Sequence, residues 1–169
     1  MNNIGLISEN DNSTVLAEYR ALDSVATSFQ SESALEKELI NTLVEEGYEY
    51  LSIHSENELI LNLRNQLEKL NNYQFTDGEW DFFFSKVIAN KNDYIIEKTR
   101  LIQEDYKQEI TLDSGEKRNI YLIDKNNIHN NRLQVINQYV NNDGNYDNRY
   151  DVTILVNGLP LVHIELKKR

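Results

Sequence analysis

The chain contains no cysteine. Disulfide scaffolds, paired-cysteine zinc sites and thiol nucleophiles are thereby excluded, and the composition is compatible with a reducing cytoplasm. No run of eighteen apolar residues occurs, so no membrane-spanning helix and no membrane partner are expected. The opening Met1-Asn-Asn-Ile-Gly5 has neither the basic start nor the long apolar stretch of a secretory signal. Basic residues are scarce: 17 Lys and Arg against 28 Asp and Glu leave a net charge of −11. Phosphate affinity comes from clustered Lys and Arg, so this balance argues against a general nucleic-acid binder. It does not argue against an enzyme that meets DNA through one small basic face, or with the help of other subunits.

What is present is an ordinary globular mixture, with 40% apolar and 27% charged residues in 169. That length suits one domain, or one domain with an extension. Asparagine is unusually frequent at 23 residues, and nine of them fall between Asn126 and Asn148, which marks that stretch as loop-rich.

Residues 1–32 read as a polar extension in which Val15 to Leu22 has the pattern of a short helix. Ser33-Ala-Leu-Glu36 has capping-box spacing and opens a helix carrying Leu35, Leu39, Leu43 and Val44, which Gly47 stops. Tyr48 to Ile53 reads as a short strand. A second helical stripe of Leu59, Leu63, Leu67 and Leu70 runs from about Glu56 to Asn71. Thr76-Asp-Gly-Glu79 is another capping-box spacing, followed by Trp80, Phe83, Phe84, Val87 and Ile88 on one face. Helical spacing of that kind predicts a core stripe in preference to a base-stacking surface. A fourth helix is expected over Asp93 to Glu104.

Beyond residue 105 the period changes to that of strands: Glu109–Leu112 and Asn119–Ile123 around Asp113-Ser-Gly115, then Leu133–Val140, a loop over 141–148, Tyr150–Val156 and Leu159–Lys167. Helices followed by strands imply an α+β domain, a helical N-terminal half packed on a mixed β-sheet.

The chemistry lies in the last hairpin. Asp151 stands near the outer end of one strand, and Glu165 and Lys167 near the outer end of the next, so folding the hairpin brings all three together. Two carboxylates from separate strands offer hard oxygen ligands to Mg²⁺, with the Leu166 carbonyl available to complete the shell. Lys167 is placed to orient or deprotonate an attacking water and to balance charge on a phosphoryl transition state. The plain alternative is a solvated strand with incidental charges. The flanking Val152, Ile154, Val156, Val162, Ile164 and Leu166 predict central, buried strands, whose charges need a reason.

The Asp151, Glu165, Lys167 pattern resembles the PD-(D/E)xK nuclease superfamily. Four stretches resemble the N-terminal nuclease region of the restriction (R) subunit of type I restriction-modification enzymes: residues 35–40 with residues 46–50, residues 63–71, Val135-Ile-Asn-Gln138, and the long run from Asn148 to Lys168. The resemblance implies a restriction-endonuclease-like sheet, with Asp151 and Glu165 as Mg²⁺ ligands and Lys167 as the catalytic lysine. It implies a third acid from the first helix, for which Glu36 is the matching position, capping being the competing role; Glu38 is a weaker match. It further implies double-stranded DNA as substrate, partnership with modification and specificity subunits, and ATP-driven motor domains. No phosphate-binding loop occurs in this chain, so ATP belongs to the full-length subunit only. Tyr150 replaces the superfamily proline, and residues 33–169 stop short of the closing helix and strand. His163 shares strand parity with Glu165 and is placed either to contact a phosphate or to sit as a hydrogen-bonded strand residue. Lys168 and Arg169 are candidates for the DNA backbone or for a solvated end. A docking module without chemistry is the alternative function.

The turn decides whether the site forms. A two-residue Asn157-Gly158 loop continued regularly would set Asp151 opposite Ile164 and turn Glu165 and Lys167 to the other face. A three-residue loop, or an equivalent bulge near Pro160, puts Asp151, His163, Glu165 and Lys167 on one face.

Overall fold

The computed structural model describes residues 4–9, 15–19, 31–141 and 148–167. The chain divides into two compact units, Met1–Gln30 and Ser31–Arg169, and each is described by itself. In the first, β1 (Ile4–Glu9) pairs antiparallel with β2 (Val15–Tyr19). The helix expected from Val15 is thus a strand over Val15–Tyr19. So short a segment cannot hold a helix by itself, whereas two apolar runs separated by polar, turn-favouring residues can satisfy each other's backbones.

In the second unit, α1 (Glu32–Glu45) is capped by Ser31, whose hydroxyl accepts the Ala34 N–H at 3.2 Å. Ser33 therefore lies inside the first turn, and Glu36 is not a capping glutamate. Gly47 ends the helix at φ 97°, with its N–H donating to Val44 O and the Tyr48 N–H to Leu43 O, both at 3.0 Å; this is the paired closure that a left-handed glycine permits. Then follow β3 (Glu49–Tyr50), α2 (Glu56–Asn71), α3 (Asp77–Phe83) and α4 (Ile95–Gln103). Both arms of the Thr76–Glu79 capping box are made, and α3 runs on into a π-turn over Phe84–Ile88. β4 (Lys107–Thr111) and β5 (Lys117–Tyr121) form the expected hairpin. β6 (Leu133–Asn141), β7 (Asn148–Val156) and β8 (Leu159–Ile164) follow. Most of the Asn-rich loop expected over 141–148 lies outside the described residues.

The main sheet has the order β3-β6-β7-β8, with β3 parallel to β6 and the other pairs antiparallel. The fold is α+β, four helices among the described residues with a mixed sheet and a small separate hairpin. α1 packs Leu39, Ile40 and Leu43 on Val135, Val152, Ile154 and Ile164 of the sheet. Leu59, with Ile53 and Leu51, packs with Ile136, Tyr139 and Leu155. The Trp80 and Phe83 stripe is core, packed with Leu63, Leu67, Phe75, Ile110 and Ile120. Full burial of a side chain such as Phe83 contributes roughly 1.5–3 kcal/mol.

Glu79 is buried beneath this stripe. Its carboxylate accepts Tyr73 OH at 2.7 Å, Asp113 N–H at 2.9 Å and Thr76 N–H at 3.0 Å. Burial pushes its pKa up, but the hydrogen bonds outweigh that and hold it below the ordinary carboxylate range. The same contact pushes the Tyr73 phenol up to about 12. A depressed folded-state pKa stabilises fully above the unfolded value, about 4.3 for glutamate, and that contribution is lost as pH falls through the folded value. Glu79→Gln is expected to lower the urea midpoint at pH 7 and to shrink the loss of stability between pH 5 and pH 3. An unchanged acid dependence in the variant would show that the ionised Glu79 carboxylate carries none of it.

Candidate active site

The last hairpin turns on Asn157 and Gly158 with φ of 51° and 81°, two left-handed residues as in the tight turns that match strand twist. Val156 pairs with Leu159 and Leu155 with Pro160. Leu161 is then skipped, and Ile154 pairs with Val162, Thr153 with His163 and Val152 with Ile164. The two-residue loop is present after all, and the register is reset by a bulge at Leu161, directly after the proline. β8 ends at Ile164, and the same register continued one position further out sets Asp151 opposite Glu165.

Tertiary contacts fix the turn. Asn157 is buried, and its side chain accepts Arg132 N–H at 2.8 Å and donates to Leu122 O and Asn131 Oδ1 at 3.0 and 2.8 Å. Gly158 lies against Leu63 of α2, so closely that a Cβ there would be 2.6 Å from the Leu63 Cα.

β8 corrects another expectation. It is the edge of the sheet, and Pro160 to His163 are exposed, Leu161 and Val162 by 41% and 45%. Apolar residues here are not a sign of a central strand: β7 covers one side of β8, and no other described strand pairs with it. β7 itself is central, with Val152, Thr153 and Leu155 buried.

A second irregularity sits across from Asp151. In the β6–β7 ladder Asn137 pairs with Val152 and Tyr139 with Tyr150 in one register, which leaves Gln138 opposite Asp151 as a position where no ladder pair forms. Gln138 has φ 54°, a left-handed backbone that costs a non-glycine residue about 1–2 kcal/mol. Its effect on side-chain direction is visible in the packing. Ile136 and Tyr139 enter the same apolar cluster, although an odd spacing should send them to opposite faces. Tyr150 and Thr153, also an odd number apart, both meet His163: the Tyr150 ring stacks on the imidazole with centroids 4.0 Å apart, and Thr153 Oγ1 lies 3.0 Å from Nδ1. The strict alternation of β7 is therefore broken between Tyr150 and Thr153, next to Asp151, while the pairing of Thr153 with His163 keeps the expected parity.

At that break the Asp151 carboxylate turns to the neighbouring strand end, where Oδ2 accepts the Leu166 N–H at 2.7 Å. Asp151 thus touches the residue between Glu165 and Lys167. Those two are exposed and sit side by side, Lys167 Nζ to Glu165 Oε2 being 3.5 Å. His163 is held by Tyr150 and Thr153, and partial withdrawal from water lowers its pKa. Lys168 and Arg169 lie outside the described residues.

Glu36 approaches from α1. Its Oε1 accepts Asn137 Nδ2 at 2.6 Å and its Oε2 accepts the Gln138 side-chain amide. Tyr50 OH donates to Asn137 Oδ1 at 2.8 Å. Glu36 is therefore tied to the strand residues beside and opposite Asp151. No three Asp, Glu or His side chains among the described residues gather closely enough to hold one metal ion. Tyr50, Asn137 and Gln138 were not singled out for chemistry from the sequence. The available signal was the adjacent polar pair Asn137-Gln138 between the apolar Val135-Ile136 and Tyr139-Val140 of β6.

The family model for the type I restriction enzyme R protein N terminus matches residues 29–169. The chain belongs to this family. The type I restriction enzyme EcoprrI endonuclease subunit of Escherichia coli is 46% identical over 164 residues, 96% of this chain and 52% of that protein. The SsaAORF53P endonuclease subunit of Staphylococcus saprophyticus is 38% identical over 148 residues, and the SauCOLORF180P endonuclease subunit of Staphylococcus aureus 36%. The chain spans about half the length of the first relative and 15% of the other two. The match covers α1 through the last hairpin, so every residue of the candidate site lies inside the R-protein N-terminal region. No described helix is long and apolar enough to cross a membrane.

Proposed function

We propose that this chain is the Mg²⁺-dependent endonuclease part of a type I restriction R subunit, hydrolysing phosphodiester bonds of unmodified double-stranded DNA. The observation that carries the reading is the convergence of Asp151 with the Glu165–Lys167 segment, through the hydrogen bond from Leu166 N–H and the bulged register of the last hairpin. The donor set suits magnesium: Asp151 Oδ1 accepts no hydrogen bond from the described residues, and the Glu165 carboxylate is exposed. Asp151 and Glu165 would hold the ion, a hard cation that takes one or two carboxylates and keeps several waters. When bound, it polarises a phosphoryl oxygen and lowers the pKa of a coordinated water. Lys167, alongside, orients the attacking water and offsets charge on the phosphoryl oxygens. The Leu166 N–H fixes the orientation of Asp151. ATP-driven translocation, sequence choice and methylation belong to motor domains and to specificity and modification subunits outside this chain. The assembly works in the cytoplasm.

The experiment is Mg²⁺-dependent cleavage by the assembled restriction complex, compared with its Glu165→Ala variant. Loss of cleavage with complex assembly intact supports the reading; normal cleavage refutes it in favour of a docking module. A second expectation concerns the 169-residue chain by itself: with a net charge of −11, it should leave duplex DNA unshifted in gels at about 0.15 M salt, because phosphate binding needs clustered cations. Tight binding would show that the basic surface has been underrated.

A further inference from the structure

Asp151 and Glu36 reach the same end of the sheet by different routes, and Gln138 stands between them, hydrogen-bonded to Glu36 and at the register position opposite Asp151. Gln138 has a left-handed backbone, and at its position one pair is missing from a ladder that keeps its register on both sides. Its side-chain amide donates to Glu36, whose other oxygen takes the Asn137 amide, itself braced by Tyr50 OH. A left-handed glutamine within a strand is unfavourable, and such residues persist where the surroundings over-determine them and a function uses the geometry.

We propose that Gln138 is a positioning residue of the Asp151–Glu165–Lys167 site, its backbone re-aiming Asp151 while its amide, with that of Asn137, holds the Glu36 carboxylate at the same end of the sheet. This rests on the nuclease reading given above. Gln138 touches no reacting atom in this scheme. Its part is to make the positions of two acids, one from α1 and one from β7, depend on each other. Partners that orient acidic ligands in this manner typically change metal affinity or activity 10–100-fold when removed.

The test is Mn²⁺ binding to this chain, followed by the solvent-relaxation or spin-resonance signal of the ion, beside the Mg²⁺ dependence of cleavage in the assembled complex. Gln138→Gly keeps the left-handed backbone accessible and removes the tether. It is expected to weaken Mn²⁺ binding about tenfold or more and to shift half-maximal cleavage to correspondingly higher Mg²⁺, with the unfolding midpoint unchanged or raised. Glu36→Ala should weaken binding similarly, and the double variant should be no weaker than Glu36→Ala, because groups acting through one another are not additive. Should Gln138→Gly fail to fold, Gln138→Asn tolerates the same backbone with an amide one methylene too short, and carries the same expectation. Unchanged affinity in the variant, or losses that simply add, overturns the proposal. Asp151→Ala separates it from the nuclease reading. If Asp151→Ala removes Mn²⁺ binding and Gln138→Gly does not alter it, only the positioning role fails. If Asp151→Ala binds like the parent, or the parent binds no Mn²⁺, the metal reading fails and the proposal with it.

Discussion

Alanine at Asp151, Glu165 or Lys167 is expected to abolish DNA cleavage by the assembled enzyme, by at least about a thousandfold, while ATP hydrolysis and translocation continue. Removing one group that stabilises developing charge at a phosphoryl centre costs roughly 10²–10³ in rate, and removing a metal ligand adds the loss of the ion itself. The three variants should be separable. Lys167→Ala should leave Mn²⁺ binding near normal, since its ammonium is no ligand, whereas Asp151→Ala and Glu165→Ala should lose it. Both acids and the lysine are exposed or half-buried, so none of these substitutions should threaten the fold. Cleavage at a near-normal rate by any one of them would remove that residue from the mechanism. Normal cleavage by all three would leave the chain as a docking module.

Gly158→Ala should be among the most destabilising single substitutions in the chain. The new Cβ would meet Leu63 Cα at 2.6 Å and Leu63 N at 3.0 Å, helix backbone that cannot swing aside. Overpacking of this kind costs about 1–3 kcal/mol, and the left-handed φ of 81° adds about 1–2 kcal/mol for a residue with a side chain. Gly115 provides the control, because its φ is 83° but a Cβ there would meet nothing within 4 Å. Gly115→Ala should therefore show the backbone cost alone. Urea denaturation of both variants measures the difference, and equal losses would mean that the α2 contact is unimportant to the turn.

Much of the architecture was legible because it is written in local chemistry. The Thr76 capping box, the α2 boundaries, the Gly47 stop and the aromatic core stripe are each set by residues within a turn or two of one another. The misreadings have a common physical origin. Ser31 and Ser33 are equally good caps in isolation, and only the docking of α1 on the sheet chooses Ser31, which frees Glu36 for Asn137 and Gln138. Val15 to Tyr19 is strand because Ile4 to Glu9 pairs with it, a partner that helical periodicity does not consider. β8 reads as a central strand from its apolar residues, yet its place at the edge follows from topology. The candidate site was half legible. The convergence of Asp151 with the Glu165–Lys167 segment follows from spacing, and the need for an irregularity from parity. Its place beside Pro160 was legible as well; that the loop keeps two residues was not, because the buried Asn157 and the contact of Gly158 with Leu63 hold it there. Gln138 was invisible because nothing in its chemistry announces a positive φ.

The bulge at Leu161 divides the hairpin into two stretches with independent reading frames. The turn and the pairs nearest to it are clamped to α2, and everything beyond Leu161 is offset by one. Excision of Leu161 would leave the outer pairs as they are, because Val162 would then follow Pro160 and still meet Ile154. The opposite change is the damaging one: were Leu161 to take its place opposite Ile154, the ladder would run regularly and set Asp151 against Ile164. The hairpin would gain a pair, yet Glu165 and Lys167 would turn to the opposite surface. Such a slip is a spatial frameshift with no residue changed. A better-paired strand would, in this case, be the inactive one.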